Sequence, residues 1–280
     1  FAGRGLIATA PALAVMLGAD IGTTMVAQLL SFDISWASPL LLAGGYITHS
    51  IATNTRPRQL GRTAMGLGVM LLALKLIISS AEPLRDSQVL HDVISSISGD
   101  ALIAILIAAL LTWLAHSSLA VVLLIMSLAS TGVIPIEATF ALVIGANIGG
   151  TIPPILATMA EGAEGRRVPI GNTAFKIVGG LLILPFIGLI HPLITEISDD
   201  PARIVVNFHT FFNIAIACAF IPFTDFAAKL TQKINLKTYK EYMRKAYYTT
   251  TGRGHRGHVF SQAESFAQHT KPASTAPTLS

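Results

Sequence analysis

Ala14-Val15-Met16-Leu17-Gly18-Ala19-Asp20-Ile21-Gly22-Thr23-Thr24 returns 127 residues later as Ala141-Leu142-Val143-Ile144-Gly145-Ala146-Asn147-Ile148-Gly149-Gly150-Thr151. Six of the eleven positions are identical, three exchange one apolar side chain for another, and Asp20 stands against Asn147. Shared hydrophobicity alone does not produce this agreement, so the chain contains two related halves. Both copies lie in apolar surroundings, Gly5 to Leu30 and Ala101 to Met159, that are interrupted by Gly, Ser, Thr, Asn and Pro. Such interruptions are expected of broken helices or hairpins that enter a bilayer and turn back.

Composition sets the solvent. Of the 280 residues 52% are hydrophobic and 12% charged, with mean hydropathy +0.64, against about 25% charged in a soluble domain. Ala101 to Ile136 carries no Lys or Arg and no Asp or Glu. Lys and Arg instead crowd into short segments, as they do when bilayer-spanning helices alternate with loops. The net charge of +4 owes most to a basic tail of Lys229, Lys233, Lys237, Lys240, Arg244 and Lys245, so nucleic-acid binding is not indicated. A lone cysteine, Cys218, excludes an internal disulfide framework and a cysteine metal site. Arg4 ahead of the apolar run Leu6 to Leu17 could be read as a signal peptide, but the repeat places that run inside the fold.

Spans are expected at Ile34 to Thr53, Thr63 to Ala81, Val168 to His191 and Ile204 to Phe223. Positive charge is retained on the cytoplasmic side, which puts inside a loop with Arg56, Arg58 and Arg62, a second with Arg166 and Arg167, and the tail. Glu82 to Asp100, with Glu82, Asp86, Asp92 and Asp100 against Arg85, is expected outside, as is Glu196 to Asp200. The first motif copy is then followed by an outside loop near Asp33 and the second by the inside loop at Arg166, so the halves are expected to have opposite orientation. The expected fold is an all-α membrane protein, a polytopic helical bundle with inverted-topology repeats and re-entrant helical hairpins. Its parts are residues 1–99 (first repeat), 100–226 (second repeat) and 227–280, a tail that turns polar and is expected to be disordered from about Thr249. Inverted repeats place binding sites near the midplane, where the halves meet.

The candidate site residues follow from that placement. Within each motif, Asp20, Thr23 and Thr24, and Asn147 and Thr151, offer oxygen ligands of the kind sodium takes; the glycines alternatively serve only close helix packing. Asp20 is the sharpest of these, because a carboxylate in an apolar stretch needs a cavity or a cationic partner. His116, Ser117 and Ser118 divide two apolar arms, Ala101 to Leu111 and Leu119 to Ser127, in the form of a hairpin tip. There the first backbone N–H groups of the outgoing arm and the serine hydroxyls could hold an anion such as phosphate, or the serines could bond back to their own helix. Lys75 is expected to snorkel. His209 and Asn213, four residues apart, share a helix face. No nucleotide loop, paired catalytic carboxylates or Cys/His metal spacing occurs, and His116 and Ser117, adjacent on a helix, point about 100° apart, so an enzyme is not expected.

From Gly3 to Phe226 the chain resembles the type II sodium-dependent phosphate cotransporters, in their bacterial branch. That family carries Gly-Ala-Asn-Ile-Gly-Thr-Thr in each of two inverted repeats, seen here at Gly18 to Thr24 and Gly145 to Thr151. It has Gln-Ser-Ser-Ser at each hairpin tip, which falls on His116-Ser117-Ser118-Leu119, and His-x-x-Phe-Asn in two closing helices. The second of these is intact at His209 to Asn213; the first falls on Asn172 to Lys176 and has lost its His and Asn. Asp20, His116, Leu119 and Gly150 also depart from the pattern, and the first hairpin tip would lie before Phe1. The resemblance implies sodium-coupled phosphate transport by alternating access in a bacterial cytoplasmic (inner) membrane, as a multi-pass protein. It implies Na⁺ as coupling ion with no other metal or cofactor, phosphate held by Ser117 and Ser118, and a sodium and phosphate region of Asn147, Thr151, Thr23 and Thr24. A diverged or truncated non-transporting relative, a partner subunit or remnant, is the alternative.

Overall fold

The computed structural model of the chain describes residues 6–32, 34, 36–81 and 99–231. By its internal contacts the chain falls into two units, Phe1–Thr231 and Gln232–Ser280, the second of which lies outside the described residues together with most of the basic tail. The acidic segment through Asp92 and the loop residue Asp33 lie outside them too. The described residues form helices and no strand: α1 Thr9–Leu30, α2 Ala37–Ile51, α3 Thr55–Ala81, α4 Ala101–Ala115, α5 Ser118–Ser130, α6 Ile136–Gly149, α7 Ile152–Ala157, α8 Gly162–Ile183, α9 Ile187–Thr195 and α10 Pro201–Phe220.

This is an all-α membrane protein. Five stretches are long and apolar enough to cross a bilayer: Thr9–Leu30, Thr55–Ser80, Ile136–Ala157, Glu164–Thr195 and Pro201–Thr231. Large apolar side chains face outward, among them Leu106, Leu181 and Leu189, each at least 59% exposed. A lipid solvent removes the penalty that water would impose on that surface. The packed centre lies between α1, α5, α6 and α10, where Phe140 stacks on Phe208 with ring centroids 4.0 Å apart and Leu13, Leu17, Val122, Val143 and Ile144 are buried.

Several boundaries differ from the sequence expectation. Gly5 to Leu30, expected to be broken, contains one unbroken helix, α1, in which a Cβ on Gly18 or Gly22 would meet nothing within 4 Å. The second copy does break, α6 ending at Gly149 and α7 restarting at Ile152 with Pro153 at its beginning, where proline's missing N–H costs no helical bond. The helix inside the expected span Ile34 to Thr53 has 15 residues, about 22 Å at 1.5 Å per residue and short of the hydrocarbon core. Arg56, Arg58 and Arg62, expected in a loop, occupy the first turns of α3, and Arg166 and Arg167 the start of α8, where Arg167 pairs with Glu164 at 3.4 Å. The region Val168 to His191 is one helix interrupted by a tight turn at Leu184–Phe186.

Helix α4 and α5 form the hairpin foreseen from sequence. At 15 and 13 residues each is too short to span. Asp100 begins it, its Oδ1 accepting from the N–H groups of Leu102 (2.8 Å) and Ile103 (3.3 Å), which otherwise would have no partner in the first turn. Asp200 does the same for α10, accepting from Ala202 N at 2.9 Å. At the tip, His116 takes the left-handed conformation with φ 55°, which turns the chain before Ser117 caps α5.

Candidate functional site

The site is built on one helix face from each of four helices. Helix α8 packs against α1, α6 and α10, and from its middle Lys176 reaches into their junction with 1% of its surface exposed. Its Nζ lies 3.0 Å from Asp20 Oδ2 on α1. The same ammonium donates to Asn147 Oδ1 on α6 at 3.3 Å and to Asn213 Oδ1 on α10. Two amide oxygens accept N–H groups of the ammonium and the Asp20 carboxylate pairs with its charge, so three oxygens from three other helices surround it. The ring of Phe212, with its centroid 5.7 Å from Nζ, closes one side.

The two asparagines are held so that oxygen, not nitrogen, faces Lys176. Asn147 Nδ2 donates to Val143 O and Asn213 Nδ2 to His209 O, both at 2.9 Å and one turn back along their own helices. Each amide nitrogen is thereby occupied and each amide oxygen turned toward the junction. One turn from the cluster on α8 and α10 stand Asn172 and His209. Both are buried, and Asn172 Oδ1 and His209 Nδ1 have no hydrogen-bond partner among the described residues. In a dry interior an unmatched polar atom is costly, and both of these lie one turn from the cluster.

Asp20, Asn147 and Asn213, singled out from sequence, therefore come together: all three meet one nitrogen. Sequence reasoning missed Lys176 itself, which registered only as a lost asparagine. The signal was present, since an Asp and a Lys each embedded in apolar helices of one membrane protein are expected to find each other.

The threonines of the motifs turn inward on their helices. Thr23 donates to Asp20 O at 2.7 Å, Thr24 to Ile21 O at 2.8 Å and Thr151 to Ile148 O at 2.7 Å. A hydroxyl that donates to a carbonyl keeps its lone pairs, so Thr24 and Thr151, both buried, present acceptors suited to a cation. Thr23 is exposed and makes no hydrogen bond or ion pair with the Lys176 cluster.

The hairpin tip has the opposite chemistry. Ser117 Oγ accepts from Ala120 N at 3.1 Å, which leaves its O–H free to donate. Ser118 sits against the end of α6: a Cβ at Gly150 would lie 2.9 Å from Ser118 Cβ. Glycine at position 150, where the motif pattern has Thr, is what makes room for the tip. His116 is exposed at the tip, and its Nδ1 pairs with Leu114 O at 3.1 Å rather than with the cluster.

The motif glycines divide by copy. A Cβ on Gly145 would come 2.3 Å from Ile105 O and one on Gly149 2.2 Å from Ala109 O, so in the second copy they let the α4 backbone approach α6, the small-residue packing of membrane helices. Gly18 and Gly22 on α1 face open space.

A family profile described as Na+/Pi-cotransporter matches residues 1–79 and 85–218. The chain belongs to the Na+/Pi-cotransporter family. It is 40% identical over 234 residues to a protein of Escherichia coli strain K12 named "Putative inorganic phosphate export protein YjbB", covering 84% of this chain and 43% of that protein. The protein of the same name in Salmonella typhimurium is 38% identical over the same length, again 84% of this chain and 43% of the relative. "Uncharacterized protein YqeW" of Bacillus subtilis is 26% identical over 231 residues, 82% of this chain and 75% of its own. The chain thus spans less than half the length of the YjbB proteins it matches. No solved structure matches it.

Proposed function

We propose that this chain carries inorganic phosphate across a bacterial cytoplasmic membrane by alternating access, with Na⁺ as the coupling ion and no enzymatic step. The observation that carries this reading is the polar junction around Lys176, built from both motif copies and enclosed by apolar helices. Family membership and the phosphate-export names of the E. coli and Salmonella relatives support the substrate. Ser117 and Ser118, with the open N–H groups at the start of α5, supply donors for phosphate oxygens. Thr24 and Thr151 supply acceptors for sodium. A phosphate anion cannot enter a dry site without compensating positive charge, and each Na⁺ moving inward contributes about 2.3 kcal/mol per 100 mV. The motif duplication and the charge distribution along the chain support opposed orientations for the two halves, with α4 and α5 as the re-entrant hairpin and one repeat rocking on the other.

The test is radiolabelled phosphate flux into proteoliposomes with and without a sodium gradient. Flux above that of protein-free vesicles, stimulated by the gradient, is expected; no flux under either condition overturns the proposal. The open face at Gly18 and Gly22 favours a second reading, in which the chain transports only when another helix covers that face as α4 covers Gly145 and Gly149. Flux that appears only on coexpression with a partner subunit would select it.

A further inference from the structure

Asp20 on α1 and Lys176 on α8, a carboxylate and an ammonium each set in an apolar helix, meet as a 3.0 Å ion pair. The ammonium then collects Asn147 Oδ1 and Asn213 Oδ1 as well. One carboxylate oxygen and two amide oxygens, drawn from three helices and turned inward by the backbone hydrogen bonds of the asparagines, are hard-cation ligands. Without Lys176 they would leave a carboxylate with its Oδ2 buried beside two amide oxygens, an arrangement that favours a cation.

We infer that the Lys176 ammonium is a tethered cation occupying a sodium-type coordination position made by Asp20, Asn147 and Asn213, so that this chain requires one fewer sodium ion than the same site with asparagine at position 176. The inference rests on the phosphate-transport reading for its consequence but not for its chemistry. A fixed ammonium offsets substrate charge as a bound Na⁺ would, yet it does not cross the membrane and draws nothing from the sodium gradient. Removing one Na⁺ from the cycle weakens inward drive, which suits the outward direction printed in the names of the E. coli and Salmonella relatives.

The test compares the chain with K176N and with D20N/K176N, purified in detergent, by thermal unfolding in NaCl and in N-methyl-D-glucamine chloride at equal ionic strength. Removal of the ammonium leaves the carboxylate and amide oxygens for Na⁺, so K176N is expected to gain a sodium stabilisation that exceeds the unsubstituted chain's. At ten times its Kd, one added site multiplies the folded-to-unfolded ratio about elevenfold. D20N/K176N, with amides only, is expected to show a smaller gain. A K176N protein that is soluble only in sodium also supports the inference. If K176N aggregates in both salts, D20N/K176N decides: a sodium response above that of the unsubstituted chain supports it. Equal or weaker sodium responses in the variants overturn it. Because the readout is stability, it stands whether or not phosphate flux is detected, and failure of the transport reading is seen separately in the vesicle assay.

Discussion

Asp20→Asn and Lys176→Asn remove opposite ends of one ion pair, yet they are expected to differ in cost. The Lys176 side chain is 2% exposed and that of Asp20 30% exposed. Asp20→Asn strands a fully enclosed ammonium, and removal of one partner from a buried pair costs about 3–5 kcal/mol. Lys176 keeps two amide oxygens, which places the cost near the lower end, about 3 kcal/mol. Lys176→Asn leaves a carboxylate whose side chain is 30% exposed although its Oδ2 is buried, together with two buried amide oxygens each missing a donor, at about 1–2 kcal/mol. With both substitutions the charges vanish together, so the double variant should cost less than the sum of the singles by about 1–3 kcal/mol. The assay is urea unfolding in sodium-free detergent micelles, followed by the fluorescence of Trp36 and Trp113, the two tryptophans of the chain; sodium is left out because it would refill the position vacated in Lys176→Asn. Costs that add within about 0.5 kcal/mol, as expected of independent sites, or a larger cost for Lys176→Asn than for Asp20→Asn, would refute the reasoning.

The motif glycines give a sharper contrast between copies. Gly149→Ala drives a Cβ to 2.2 Å from Ala109 O, a backbone atom that cannot step aside alone, and should destabilise by about 1–3 kcal/mol; Gly22→Ala meets nothing and should stabilise the chain by about 0.5–1 kcal/mol through lower unfolded-state freedom, both read by the same urea titration. Gly150→Thr, which restores the motif residue, should push the hairpin tip off α6 through Ser118 and lower phosphate flux in the vesicle assay, whereas Gly150→Ala should lower it less. Gln28 Nε2 donates to Asn207 Oδ1 at 3.0 Å and Thr210 Oγ1 at 3.1 Å, tying α1 to α10; Gln28→Leu should cost about 0.6–1.7 kcal/mol, and no loss in the unfolding titration would count against a structural role for that pair.

The membrane class, the duplicated motif, the hairpin at Ala101–Ser130 and the meeting of Asp20 with Asn147 were legible from sequence patterns, whereas Asn213 was legible only as sharing a helix face with His209. Apolar run length separates spanning from turning segments, and a polar residue repeated in an apolar context has to face something other than lipid. What was not legible depended on distance between segments. The α4 backbone lies against the glycines of one copy and open space against those of the other, a difference that no local pattern records. Lys176 could be aligned with a missing asparagine, but only the approach of α8 to α1 makes it a partner of Asp20 rather than a lost ligand.

The departures from the motif pattern acquire meaning in pairs. Asp20 and Lys176 set two opposite charges 3.0 Å apart, and at Gly150 the missing side chain leaves room for Ser118, whose Cβ would lie 2.9 Å from a Cβ there. Inside a bilayer no bulk water is present to neutralise a stray charge or fill a gap, so an isolated change of either kind would carry its full cost. At Asp20 and Lys176 each charge offsets that cost for the other. The oxygens of Asp20, Asn147 and Asn213 face a cation that is covalently attached to α8 and so cannot leave with any substrate.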